Sequence, residues 1–396
     1  MREGEGMFPA NELEIARALK RCMGWGSCEP PNSCMKPCRE GGWNGRSPVG
    51  RGSSHANGKD TREMRLSIPH PGHFEALKEI AAVKKAEGLS EVKEVFMGGS
   101  PDIMGSGRGV FHAPLISEIK EQTEFAHEHG LKMNIVMNST CLSGNHLTHE
   151  GFKMFEWYFK QLNDAGVDAV TVAEPYLVEL LRDFPMEVVV SCLAYVDSPH
   201  RAKFYEELGA DVITADTNIN KNFDLLRGIV EAVDCKVRVI VNEACLFKCP
   251  FRYAHYNVAS HFSSLNKPKG TPIALDFYFD KCISFRLRDP SQLIKSAWIR
   301  PEDIRHYEEI GIHDFKLSGR TKTVAWILKC MRAYAKRSFK GNLLDILDCP
   351  QMLRYVFHIE NEKLEGCIEQ WKRCKKICDE CGYCNKIAEN IIIRKY

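Results

Sequence analysis

The chain has 396 residues, 44% of them hydrophobic, with a net charge of +2. That is enough apolar content for a sizeable core, and the charge gives no global field that would favour a membrane surface or nucleic acid. No run of eighteen apolar residues and no signal-type start is present, so the sequence reads as cytoplasmic, with no membrane span.

Seventeen cysteines stand out against that background. In a reducing compartment such a number points to metal or redox chemistry rather than disulfides. Cys192, Cys235, Cys330 and Cys349 are isolated in apolar or helical settings and read as small core residues.

In chain order, residues 1–63 form an irregular extension rich in Gly, Pro and Cys. Its Cys22, Cys28, Cys34 and Cys38 have no surrounding core pattern, and a metal site there is the weaker reading. From Met64 a βα rhythm begins. "MRLSIP" reads as a strand and "HFEALKEIAAVKKAEG" as an amphipathic helix ending at Gly88. Further strands are predicted at "VKEVFMGG", "LKMNIVMN", "DAVTVAEP", "EVVVSCLAYV", "DVITAD", "KVRVIVNE" and "HDFKLSG", most with helical patterns between them. Their β-branched runs suit parallel strands covered on both faces. Eight such units over residues 64–345 predict an α/β fold, a closed (β/α)8 TIM-like barrel, which needs about 250 residues. The alternative is an open doubly wound sheet, but no Gly-x-Gly-x-x-Gly follows the first strand. "GGSPDIMGSGRG" has the wrong spacing for that motif and reads as a βα loop, with an anion contact as the alternative. One connection, from Asn242 to about Pro301, is too long for a plain linker and marks a functional insertion. Residues 346–396 form a cysteine-rich helical tail.

In a barrel of this kind chemistry sits at the C-terminal ends of the strands. Cys141 follows the third strand, Cys245 and Cys249 follow the seventh, and Cys282 lies in the long insertion. Four cysteines remote in sequence are thus expected on one rim. They suit an iron–sulfur cluster or a tetrahedral zinc, the alternative being buried cysteines that support a loop. Ligands from separate loops favour a cluster over a zinc staple. Other polar residues close strands on the same rim: Glu174, Asp216, Asn242 and Glu243, as acids, bases or plain helix caps. His255 is a candidate proton shuttle or a packed histidine, and Arg320 a candidate anion ligand or a salt-bridged arginine. The basic residues of the last barrel helix, from Lys329 to Lys340, read as a solvated face, with an RNA contact as the minor alternative.

"IVNEACLFKCPFRYAHYN", "DKCISFRLRDPSQLIKSAWIRPEDI" and "DFKLSGRTK" resemble the collagenase-like peptidase family, peptidase family U32, over about Met64 to Leu347. The resemblance implies a barrel with a four-iron, four-sulfur cluster on Cys141, Cys245, Cys249 and Cys282, although the Cys-x3-Cys spacing departs from the best-known branches. It also implies either oxygen-independent hydroxylation of a small molecule or RNA base, or a peptidase activity. A non-catalytic role in a heterodimer with a family paralogue is the remaining implication. A thiol peptidase built on Cys249 and His255 would find the other thiols redundant. In the tail, Cys374, Cys378, Cys381 and Cys384 in "CKKICDECGYC" are spaced for a second metal, zinc or iron–sulfur, or for a helical stripe.

Overall fold

The structure, a computed structural model, describes residues 63–108, 113–264 and 277–395. The cysteines at 22, 28, 34 and 38, and the extension they belong to, lie outside the described residues apart from Glu63 itself.

All eight predicted strands form, and they close in sequence order into a parallel barrel. They are β1 (Arg65–Pro69), β2 (Val92–Gly98), β3 (Lys132–Met137), β4 (Ala169–Val172), β5 (Glu187–Val190), β6 (Val212–Thr214), β7 (Lys236–Ile240) and β8 (Asp314–Lys316). Closure is made by β1 on β8, with Arg65 opposite Asp314. The helices between strands include α1 (Phe74–Glu87), α2 (Ile116–Glu128), α3 (His149–Asp164), α4 (Pro175–Leu181), α5 (Pro199–Leu208) and α6 (Phe223–Ala232). Local chemistry fixes their ends. Gly88 takes a left-handed φ of 62° and stops α1, as its sequence position predicts. Thr148 and Ser198 accept backbone N–H bonds at the starts of α3 and α5.

Strand residues facing the helices form the main apolar core, whereas the barrel lumen contains a polar layer. There Arg238 of β7 grips Glu94 of β2 through Nη1 and Nη2 at 2.9 and 3.1 Å, and donates from Nε to Asp314 of β8 at 2.6 Å. Ser67 and Asn134 donate to the same Glu94 carboxylate, and Thr171 donates to Asn134. A fully desolvated carboxylate is tolerated here because every neighbour is a donor. Burial alone would raise the Glu94 pKa, but Arg238, Lys316 and Ser67 hold it down to about 2.

The insertion after β7 contains α7 (Arg252–Ser263), α8 (Phe277–Arg288) and α9 (Ser291–Lys295), followed by α10 (Ile304–Glu308) before β8. After α11 (Val324–Ala335), the chain continues through α12 (Gln351–Val356), α13 (Cys367–Lys372), α14 (Cys378–Cys381) and α15 (Tyr383–Ile391). Strands β9 (Phe357–Ile359) and β10 (Ile392–Arg394) pair antiparallel. Leu344, Leu353, Phe357, Leu364 and Trp371 belong to the same apolar core as the barrel helices, and Trp371 meets Trp298 edge-on at 5.4 Å. No helix among the described residues is long and apolar enough to cross a membrane.

Candidate active site at the barrel mouth

The C-terminal ends of the strands open into one pocket. Phe96, Val136, Thr171, Thr214, Ile240 and Lys316 bring β2, β3, β4, β6, β7 and β8 to its floor and walls. Its charged lining is Arg108, Glu243, Lys316 and Arg320, with Tyr256 from α7 and Cys192 from the turn after β5.

Two of the predicted residues are therefore in the pocket. Glu243 is 2% exposed and accepts from Arg252 Nη1 at 2.9 Å. Burial works against its charge, yet Arg252 and Arg108 hold its pKa below the usual range, so it is a carboxylate. Arg320 donates to Ser106 Oγ through Nη2, while its Nη1 is buried without a partner. Burial, with Arg108 nearby, lowers its pKa to about 10. Arg108 pairs with Asp348 at 2.6 Å. Lys316 points over the Phe96 ring at 3.9 Å, and burial together with Arg238 lowers it to about 7. Three basic side chains face one carboxylate, and one guanidinium edge is unsatisfied. Such a mouth is built to receive an anionic group.

The other candidates do something else. The Asn242 amide is consumed by backbone: Oδ1 accepts from Ser318 N at 2.7 Å and Nδ2 donates to the carbonyls of Ser318 and Ile346. It ties the ends of β7 and β8 together. Glu174 heads α4 away from the pocket, and burial, opposed by His146, raises its pKa. Asp216 caps the turn after β6 through Asn218 and reaches Arg252 at 3.5 Å. His255 stacks against Tyr256 and lies tilted against Tyr278.

The four cysteines expected to share one cradle are placed as follows. Cys282 is close enough to Cys249 to help raise its pKa, after burial, and Cys282 Sγ accepts from Arg286 Nη1. Cys245 turns inward, 4.0 Å from the Tyr256 hydroxyl, and burial and then Glu243 push its pKa far up. Cys141 lies elsewhere. Thr140 is bonded to Asn257 and Ser260 in the second half of α7, which puts Cys141 Sγ 3.8 Å from His261 Nδ1. Cys249 precedes the other end of that helix, and twelve residues span about 18 Å. Among the described residues, no three His, Cys, Asp or Glu side chains are set to hold one metal ion. As a test of fit, the adjacent pair Cys249 and Cys282 suits thiolate ligation. Cys245 is on the same loop but turned away, and Cys141 does not join them.

The sequence reading missed Arg108, Lys316, Tyr256 and Arg286. A lysine inside the apolar run "HDFKLSG" was the available signal for Lys316, and an arginine four residues after Cys282 for Arg286. Cys349, read as core filler, is buried as expected, but it also feels the Arg286 guanidinium. Cys192 is likewise buried, and burial raises its pKa to about 12, but it lines the pocket wall.

A profile of peptidase family U32 matches residues 85–247. A protein of Methanocaldococcus jannaschii, named as an uncharacterized protease, is 40% identical over 338 residues, which is 84% of this chain and all of the relative. A tRNA hydroxylation protein of Bacillus subtilis is 25% identical over 304 residues, covering 72% of this chain and 65% of that protein. A solved U32 peptidase aligns at a TM-score of 0.49 and 25% identity, covering 66% of this chain and 94% of its own. The chain belongs to peptidase family U32.

Proposed function

We propose that this protein is an iron–sulfur-dependent enzyme that modifies a nucleobase or a small anionic molecule, by oxygen-independent hydroxylation or a related redox step. The observation that carries the reading is the mouth itself. Arg108, Lys316 and Arg320 face a pocket whose lining includes Cys192 but no histidine. Anion capture is what such a site does. The tRNA hydroxylation named for the Bacillus subtilis relative supports the same reading.

The ligands proposed for the cluster are Cys245, Cys249 and Cys282, with Cys141 left out. A cluster there would supply one-electron chemistry. The chain's own residues have separate tasks. Arg320 and Arg108 orient the anionic end of the substrate. Glu243, fixed by Arg252, is the carboxylate available to take a proton. Tyr256, raised well above its usual pKa by burial and Cys245, stays neutral and closes the wall.

The test is anaerobic purification followed by iron and sulfide analysis, then incubation with RNA and nucleoside mass spectrometry. A mass gain of one oxygen on a nucleoside, lost in Cys249→Ser and Arg320→Met, supports the proposal. A reconstituted protein without iron refutes it.

A second reading, peptidase, is favoured by one contact, Cys141 with His261 at 3.8 Å. Gelatin or casein cleavage that vanishes in Cys141→Ser, but persists without iron, would establish it in place of the first.

A further inference from the structure

The C-terminal cysteines take no part in the function proposed above, yet three of them share a cavity. Cys374, Cys378 and Cys384 line it together with Lys221, Trp371 and Phe247. Local backbone geometry brings them there. Lys376 has a left-handed φ of 63°, which folds the chain back after Cys374, and its N–H donates to Cys374 Sγ at 3.4 Å. A backbone N–H aimed at a cysteine sulfur two residues earlier is suited to a thiolate. Gly382, at φ 63°, makes a second turn between α14 and α15, so that Cys378 and Cys384 face inward while Cys381 stays exposed at the rim.

Two further side chains border the same cavity. The Trp371 side chain is buried, and its indole N–H has no hydrogen-bond partner; the Cys384 sulfur is the acceptor within its reach. Lys221 is buried as well. Its Nζ donates to the carbonyls of Ile294 and Ser296 at 2.9 and 2.6 Å and lies over the rings of Trp298 and Trp371 at 4.0 and 4.2 Å. Burial lowers its pKa to about 7, so a nearby anion is what would keep it charged. Lys295 and Lys376 line the same cavity, so three amines surround the thiols. A metal centre on deprotonated thiolates is the kind of anion such a set of amines would balance.

We propose that Cys374, Cys378 and Cys384, with Cys381 as the fourth ligand, hold an iron–sulfur cluster whose negative charge is balanced by Lys221, Lys295 and Lys376. A single zinc would draw four sulfurs to about 2.3 Å from one point. The thiols line a common cavity, and acid-labile sulfide distinguishes a cluster from a zinc on the same ligands. Phe247, between Cys245 and Cys249 in sequence, forms part of the cavity wall, so the bound group would abut the loop that carries the mouth thiols.

The experiment uses the full chain. A Cys245→Ser/Cys249→Ser/Cys282→Ser variant removes the mouth thiols, and a second protein adds Cys374→Ser/Cys378→Ser/Cys384→Ser. Both are reconstituted anaerobically. The first is expected to hold about four iron and four sulfide per chain with visible charge-transfer absorption, and the second none. Zinc without sulfide in the first, no metal in the first, or equal iron in both overturns the proposal. Because the six-fold variant risks misfolding, wild-type protein is also alkylated with and without iron and sulfide. Protection of Cys374, Cys378 and Cys384, read by peptide mass spectrometry, is expected; equal labelling in both states refutes the site whatever the mouth thiols do.

Discussion

Glu94→Gln tests whether the polar layer in the barrel lumen is held by charge. Glu94 is fully buried, and its pKa falls from 4.5 to about 2 in the folded chain. A group depressed on folding stabilises the protein above its unfolded pKa, and that contribution is lost as pH falls through the folded value. The window is therefore pH 4.5 down to about 2. A shift of this size corresponds to about 3 kcal/mol at neutral pH. The amide also leaves Arg238 with Asp314 as its remaining strong partner, so the loss is expected at about 3–5 kcal/mol. Urea unfolding of both proteins should show this gap at pH 7 and a gap of about 1 kcal/mol or less near pH 2. A gap under 1 kcal/mol at pH 7, or one that does not change with pH, would refute the reasoning. Lys316 gives a local readout, since Glu94 is the anion that raises its pKa. In Glu94→Gln that lysine should titrate lower still.

Three other outcomes follow from the mouth. Anion binding should weaken as pH rises through about 7, where Lys316 loses its proton, and Lys316→Met should flatten that profile in isothermal titration with inorganic phosphate. Arg320→Met should raise thermal stability by about 1 kcal/mol, because it removes an unpartnered buried donor beside Arg108, and should abolish substrate modification; calorimetry and nucleoside analysis read the two effects separately. Gly105→Ala should destabilise by about 1–3 kcal/mol and speed proteolysis of the loop after β2, since the added Cβ would sit 1.9 Å from the Ser260 carbonyl oxygen.

The barrel was legible because parallel strands buried on both faces read as β-branched runs, such as the fully buried Ala169–Val172. Closure over the eight units followed from their number and spacing. Glu243 and Arg320 were legible as strand-end polar groups, and both reach the pocket. Asn242 satisfied the same rule but was claimed by backbone, a distinction that depends on where Ser318 and Ile346 fall in space. The position of Cys141 was not legible, because Thr140 is fixed by Asn257 and Ser260, more than a hundred residues later. Glu94 and Arg238 were equally hidden. Arg238 interrupts an apolar strand by one residue and Glu94, with Lys93, by two, and only closure of the cylinder brings β2 opposite β7. The tail looked like an appendage because its cysteines draw the eye, whereas Leu353, Phe357 and Trp371 make it part of the core.

Helix α7 explains why the mouth needs so long a connection after β7. Its first residue, Arg252, neutralises Glu243 and reaches Asp216, joining the ends of β6 and β7. Its middle supplies Tyr256 to the pocket wall. Ser260 holds the loop after β3 through Thr140. Ser263 holds the loop after β2, accepting from Ser106 N at 2.8 Å and donating to Ser106 O at 2.9 Å. The same Ser106 positions Arg320 after β8. One helix thus fixes the loops of β2, β3 and β7 directly, and that of β8 through Ser106. A short βα turn could not reach across the opening in this way, because the strand ends it would have to join lie on opposite sides of a barrel. The insertion is therefore part of the site, and the arginines at the mouth owe their spacing to it. In this arrangement Cys249 and Cys282 sit at the entrance to α7 and on α8, outside the polar pocket that α7 seals. The charged groups of the pocket and these two thiols are thus held by different parts of one insertion.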